Sequence, residues 1–394
     1  MRKAFICPTK YVQGENELLN LGYFVKTFGK KALLIADPFA LNLVKEKLEA
    51  TQKKYGVEFV SCDLFKGECS RTVVKALQEF AKANKCNCTI GLGGGKAIDT
   101  SKCVAAGNAL IICPTIAATD APTSHSAVLY TDNHEFDDYA YFRQSPSVVL
   151  IDLNVIANAP TRFLVSGMGD ALSTYFEARA NVNSVSNVNA GLPCGADRKK
   201  GTLLGYGTYT AAALAELCYR NLISDGAKAK VSCDCNVVTP AFEKIVETNI
   251  LLSGLGFESG GLAAAHAIHD GLTAIHDIHS CCMHGEVVAF GTICQLVLEN
   301  SPEEELYEVL NFCDEVGLPV CLHDLMTNPR TGEVIREELT EEEYKIVAAK
   351  TCIPDESIHN MPFPVTEDMV IAAIKAADKI GHDFRYGCDC ECCH

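Results

Sequence analysis

The stretch that most constrains this chain is Thr89-Ile90-Gly91-Leu92-Gly93-Gly94-Gly95-Lys96-Ala97-Ile98-Asp99, an apolar run that breaks on three consecutive glycines and resumes with helical spacing. A strand turning into a helix over glycines leaves backbone N–H groups open to close approach, and the helix N-terminus adds its positive end. That combination suits a diphosphate. The spacing is not the GxGxxG fingerprint, because the third glycine comes too early, nor a P-loop, which needs a four-residue spacer and a Lys-Ser/Thr pair. A plain strand-to-helix turn with a solvated Lys96 is the alternative reading.

The surrounding pattern gives that turn a context. Apolar runs at residues 31–36, 57–62, 88–91 and 110–113 alternate with helix-like segments at 41–54, 71–84 and 97–106, so a mostly parallel, Rossmann-like sheet covered by helices is expected. Residues 4–7, before Pro8, read as the first strand. Short runs at 127–130 and 139–142 around Thr131-Asp132-Asn133-His134 read as a hairpin, with a return strand at 147–151 ending at Asp152. Beyond Pro160 strands vanish, and helices are expected at 161–179, 201–222, 240–255 and 285–298. The expected organisation is an α/β dinucleotide-binding domain at 1–160 and an all-helical domain at 161–394.

Asp37 closes the β-unit after Ile35 and is placed either to accept from an adenosine ribose hydroxyl or to cap the next helix ahead of Pro38. A phosphate there would be repelled, which favours NAD over NADP. Thr115 and Thr119 flank the next strand-to-loop junction and are candidate donors to the cofactor. Asp120, in the loop Thr119-Asp120-Ala121-Pro122-Thr123-Ser124, is a candidate acceptor for a substrate hydroxyl or a turn residue.

A second constellation reads as a metal site. Asp170 lies in Ser166-Gly167-Met168-Gly169-Asp170, and five of the eleven histidines fall between positions 266 and 284. Asp170, His266 and His284 would supply three ligands and leave a fourth position open, as a catalytic zinc requires, the alternatives being a satisfied core histidine at 266 and a helix N-terminal carboxylate at 170. His269 is a candidate pocket residue, and His276 and His279 are candidate neighbours of the site.

The strings around Gly93–Thr100, Thr119–Ser124, Ser166–Leu172, Glu258–His266 and His284-Gly285-Glu286 resemble the iron-containing (group III) alcohol dehydrogenase superfamily, and within it the glycerol dehydrogenase branch. The resemblance covers about the first 380 residues. It implies a dehydroquinate synthase-like architecture and NAD-dependent, zinc-dependent oxidation of glycerol or a related vicinal diol to a hydroxyketone. It implies Asp170, His266 and His284 as zinc ligands and Asp120 as a substrate-pocket acid. It also implies Asp37, Gly94, Gly95, Lys96, Asp99, Thr115, Thr119, Ser124, Ser126 and Tyr130 as cofactor-side residues, and a homo-oligomer, commonly an octamer. Iron-type members resemble a four-ligand pattern with His four residues after the Asp, where this chain has Thr174. Three ligands suit zinc and a diol. No Lys or Arg except Arg179 lies close to the candidate ligands in sequence, so an uncharged polyol is favoured over glycerol 1-phosphate.

Charge and cysteine usage limit the setting. Lys and Arg sum to 34 against 50 Asp and Glu, a net charge of −16 that disfavours nucleic acid and anionic membrane surfaces. No apolar run reaches the length of a membrane span and the N-terminus lacks a signal peptide, so a cytoplasmic location is expected. The 21 cysteines are then reduced thiols, many of them small buried hydrophobes. His125 stands where members of the resembled family often have a small or aliphatic residue, and lining the nicotinamide side, shifting the pH optimum and reaching solvent are all open to it. Cys281-Cys282 precede a candidate ligand as possible competitors for metal. The tail Cys388-Asp389-Cys390-Glu391-Cys392-Cys393-His394 has donors enough for a second soft metal, though not the usual zinc-knuckle spacing.

Overall fold

Alternating apolar runs and amphipathic segments build one parallel sheet in the computed structural model, which describes residues 1–191, 205–329 and 331–387. The cysteine-rich tail at 388–394 and the expected helix start at 201 lie outside the described residues. The strands are β1 (Lys10–Gly14), β2 (Lys31–Ile35), β3 (Glu58–Val60), β4 (Cys88–Gly93), β5 (Leu110–Pro114), β6 (Ser126–Tyr130), β7 (Phe136–Tyr141) and β8 (Val148–Asp152). Six of them form a parallel sheet in the order β1-β8-β5-β4-β2-β3, while β6 and β7 pair with each other as an antiparallel ribbon.

The first strand starts later than expected. Residues 4–7 bond to the helical half instead, Ala4 N donating to Tyr206 O (3.1 Å) and Ile6 N to Ser259 Oγ (3.1 Å). Pro8 has no N–H to give to a ladder, and sheet pairing begins at Lys10 against Val148.

Helices α1 (Leu21–Phe28), α2 (Pro38–Tyr55), α3 (Arg71–Ala83) and α4 (Gly95–Ala105) cover the sheet. Leu34, Ile90, Leu92 and Ile111 pack with Leu21, Val44 and Leu48 on one face, while Leu33 and Ile35 meet Leu77, Ala97 and Val104 on the other. Both faces are therefore buried, as a parallel sheet requires. The chain leaves β2 towards β3 on one side and leaves β4 towards β5 on the other. A crevice opens where the connections diverge, at the carboxyl ends of β2 and β4.

After β8 the described chain is helical: α5 (Leu153–Ala157), α6 (Thr161–Ser184), α7 (Tyr209–Asp234), α8 (Pro240–Glu247), a π-helical turn (Thr248–Leu252), α9 (Ser253–Gly260), α10 (Ala264–Leu272), α11 (His276–Cys281), α12 (His284–Leu298), α13 (Glu303–Val316), α14 (Leu322–Leu325), α15 (Glu341–Thr351) and α16 (Glu367–Tyr386). Their shared core includes Met168, Leu172, Phe176, Phe242, Ile268, Phe290 and Ile293.

Two glycines set how closely α6 and α12 approach. A Cβ on Gly285 would lie 1.7 Å from Ser166 O, and one on Gly169 would lie 2.2 Å from Gly285 O. The helices therefore touch backbone to backbone, at the residues adjoining Asp170 and His284.

Candidate active site

Three helices converge on one point. Asp170 comes from the buried middle of α6, His266 from the first turn of α10 and His284 from the start of α12, and one ligand atom of each lies within 4.8 Å of the other two. Asp170 Oδ1 is 3.4 Å from His266 Nε2 and 3.2 Å from His284 Nε2. Among the described residues this is the one cluster of three or more His, Cys, Asp or Glu arranged to hold a metal ion.

The outer nitrogens of both histidines are occupied. His266 Nδ1 donates to Glu177 Oε2 (2.6 Å), and Glu177 Oε1 accepts from the N–H groups of Ala263 (2.8 Å) and His266 (3.0 Å). His284 Nδ1 lies 3.0 Å from His269 Nε2, and His269 Nδ1 lies 2.9 Å from Asp270 Oδ1. Burial and the neighbouring His284 pull His269 down to about 4, so at neutral pH it is an uncharged ring that donates to Asp270 and accepts from His284. With Nδ1 of each ring engaged by Glu177 or His269, Nε2 is the atom that each imidazole presents at Asp170 and the one a metal would take. Burial alone would raise Asp170, but His284 and His266 hold its carboxyl well below the usual range. A carboxylate and two imidazoles fixed this way fit a divalent cation.

His284 is held by its own surroundings. Glu286 accepts from Met283 N (2.7 Å), and Arg162 donates to both of its oxygens at 2.6 Å. His276 and His279, by contrast, are exposed on α11 and outside the cluster. Burial pushes the Cys282 thiol up to about 12, and it donates to Leu325 O (3.1 Å), so it offers no thiolate to compete for metal.

Asp120 sits beside the cluster. Its N–H donates to Asp170 Oδ2 (3.3 Å), and its Oδ2 accepts from Ser253 Oγ (2.6 Å). Burial and the adjacent Asp170 push its carboxyl well above the ordinary range. Thr174 does not point to the ligands; its hydroxyl meets Ser253 Oγ at 3.1 Å.

The glycine turn lies at the crevice. Gly93 has φ +137°, which favours glycine, and an added Cβ there would come within 3.5 Å of Asp37 Oδ2. Gly94 is the N-cap of α4 and brings no capping side chain, while a Cβ on Gly95 would meet nothing within 4 Å. The first N–H groups of α4 thus stay open to an anion, a fit for a dinucleotide pyrophosphate. Asp37 caps α2, accepting from Ala40 N (2.8 Å) through Oδ1, and keeps Oδ2 towards Gly93. Thr115 N donates to Gly93 O (3.1 Å), and Lys96 pairs with Glu68 (2.8 Å).

The other expected cofactor-side residues serve neighbouring elements. Asp99 is committed inwards, accepting from Val128 N (3.0 Å) and facing Lys102 Nζ (3.4 Å). Lys102, fully buried, donates to Ser124 Oγ (2.8 Å) and Ser126 O (2.7 Å). Tyr130 N donates to Cys69 O (2.9 Å), and Thr119 is half-buried one residue before Asp120. His125 reaches neither solvent nor the metal cluster, but pairs with Glu258 in the interior. Sequence reading passed over Glu177 and Ser253. Glu177 carried a signal, two helical turns from Asp170 and on the same face, whereas nothing local marked Ser253.

Residues 8–153 match the family model described as iron-containing alcohol dehydrogenase. A glycerol dehydrogenase of Escherichia coli O6:H1 is 43% identical over 386 residues, 98% of this chain and 99% of the relative. A glycolaldehyde reductase of Halobacterium salinarum is 39% identical, covering 98% of this chain and all of that protein. The crystal structure of the glycerol dehydrogenase from Schizosaccharomyces pombe superposes with a TM-score of 0.87 at 37% identity, over 97% of this chain and 92% of that one.

Proposed function

The chain belongs to the iron-containing alcohol dehydrogenase family, and from that premise we propose that it oxidises the secondary hydroxyl of glycerol, or of a close vicinal diol, with NAD as acceptor. The products are dihydroxyacetone, NADH and a proton. The observation that carries the reading is the convergence of Asp170, His266 and His284 beside Asp120. When bound, a divalent metal at those three residues supplies a Lewis acid that lowers the pKa of a substrate hydroxyl, and NAD supplies the hydride acceptor.

The chain's own groups do the rest. Asp120 accepts a hydrogen bond from a diol hydroxyl and sets which carbon faces the cofactor, while the open N–H groups of Gly95 and its neighbours receive the pyrophosphate. Glu177 and the His269-Asp270 pair hold the two ligand imidazoles in one tautomer. Asp120, Asp170, Glu177, Glu258 and Asp270 surround the site without an Arg or Lys among its hydrogen-bonding partners, which suits an uncharged polyol and repels a phosphorylated one.

Zinc is the metal this reading favours, because the donors are one carboxylate and two imidazoles and Thr174 is bonded to Ser253. The direct test is NADH formation by metal-stripped protein resupplied with zinc or ferrous iron. Glycerol, 1,2-propanediol and glycerol 1-phosphate are compared with NAD and NADP. Zinc-restored, NAD-dependent turnover of glycerol is expected; preference for the phosphorylated substrate would refute the assignment. The similarity to the halobacterial reductase favours a second reading, the reverse reaction on a small hydroxyaldehyde, tested by NADH consumption with glycolaldehyde. A cytoplasmic homo-oligomer, commonly an octamer in the resemblance, completes the proposal; sedimentation of the purified chain checks it.

A further inference from the structure

The loop from Ala117 to Ser126 belongs to the α/β half by connectivity, yet a series of its bonds runs to the helical half. Asn249 Nδ2 donates to Ala117 O (3.1 Å), Asp120 N to Asp170 Oδ2 (3.3 Å), Ser253 Oγ to Asp120 Oδ2 (2.6 Å) and Thr123 Oγ1 to Ile250 O (2.9 Å). Helix α9 abuts the loop directly, since a Cβ on Gly254 would lie 1.8 Å from Thr123 Oγ1. At the far end stands Glu258, 1% exposed and without a Lys or Arg partner among the described residues. Its Oε2 accepts from His125 Nδ1 and from His125 N (3.4 Å), and its Oε1 from Ser126 Oγ (3.2 Å). His125 is 4% exposed and lies edge-on to Tyr141, with ring centroids 5.9 Å apart.

A buried carboxylate is costly unless several donors satisfy it, and these donors all come from two consecutive residues. Lys102 grips the same segment from the opposite side, through Ser124 Oγ and Ser126 O, and Lys102 belongs to α4, the helix that opens on the glycine turn. A continuous set of bonds therefore runs from the glycine turn through Lys102, Ser126 and Glu258 to the helix carrying Ser253, the partner of Asp120.

We propose that Glu258 and His125 are a positioning pair that fixes the 117–126 loop against α9, so that Asp120 at one end and the cofactor-side segment at the other are set in register with the metal ligands. The pair touches neither reactant in this account. It acts through Asp120, Ser124 and Ser126, and it rests on the polyol-oxidation reading above. Losing it leaves Asp170, His266 and His284 in place but lets the cofactor and diol positions drift relative to each other, and misplacements of about 1 Å cost up to about 100-fold in rate.

The test uses the metal-loaded full-length enzyme with Glu258→Gln, His125→Ala, His125→Asn and the double variant Glu258→Gln/His125→Ala. Glutamine keeps one acceptor oxygen but turns an NH2 group towards groups that are already donors. E258Q and H125A are each expected to lower kcat/KM for glycerol about tenfold or more and to weaken NAD binding, read by calorimetric titration, with metal content unchanged. H125N keeps a side-chain N–H and is expected to recover to within about threefold of wild type. The double variant is expected to fall no more than about twofold below E258Q, because the two residues act as a unit. A merely structural role would lower the melting temperature while leaving kinetic constants and NAD affinity at wild-type values, and that outcome overturns the pair. Fully additive losses in the double variant also overturn it. A wild-type chain that binds NAD but does not oxidise glycerol refutes the functional reading instead, and the NAD titrations then decide the positioning role by themselves.

Discussion

Each ligand imidazole is oriented by a residue that never meets the metal, and the two differ in kind. His266 leans on a carboxylate, Glu177, that is itself saturated by two backbone N–H groups, whereas His284 leans on the neutral ring of His269. Replacing Glu177 with Gln frees the His266 ring to flip or change tautomer, and metal affinity is expected to fall about 10- to 100-fold in a chelator competition while the fold persists. That Asp170, His266 and His284 form one cluster was legible in the sequence because each sits in a short string with small neighbours, Gly169-Asp170, Ala265-His266 and His284-Gly285. Their supports were not, because a buried Glu within an apolar helix or a Ser seventy-nine residues from its partner Thr174 has meaning only after packing. Asp37 was legible as a pair of alternatives, and the structure realises one through Oδ1 while leaving the other oxygen by the glycine turn.

At the level of elements, the strand-and-helix alternation was readable because strands buried on both faces become continuous apolar runs. Residues 4–7 read the same way and yet bond to the Tyr206 carbonyl and the Ser259 hydroxyl, because Pro8 has no N–H to carry a ladder on from them. The contact between α6 and α12 is where sequence and site meet most directly. Gly285→Ala would force a methyl against Ser166 O; a loss of about 3 kcal/mol of stability in urea unfolding is expected, together with weakened metal binding as Asp170 and His284 separate. Helix α15 offers a pH test. Arg336 donates to both oxygens of Glu343 at 2.7 Å, and with the Thr340 N–H it holds the Glu343 carboxyl down to about 2 from an ordinary 4.5. The unfolded chain therefore takes up this proton first as pH falls, so the stabilisation is full above 4.5 and lost on the way down to about 2. Glu343→Gln is expected to cost about 1 kcal/mol at neutral pH and to flatten that acid limb in pH-dependent melting.

Across the whole molecule, the α/β half carries the glycine turn and the helical half carries the three residues proposed to hold the metal, and the 117–126 loop ties one to the other. Without an ion Asp170 is left with only its pairing to the two imidazoles, and the binding free energy of the metal no longer favours the folded state. Chelation is accordingly expected to lower the melting temperature, and zinc at about 100 times its Kd to restore about 2.7 kcal/mol, read by calorimetry with and without chelator. A melting temperature indifferent to metal would mean that the ligand set binds no ion in the folded state.

The direct contact of α6 with α12 has a consequence for how the centre fails. Two main chains in contact have no side-chain torsion between them to adjust, so the spacing of Asp170 and His284 has no soft coordinate along which to loosen. Heating or pressure reaches the ligands only once the helices part, and the centre is then lost in a single step, with amide exchange along both helices released together.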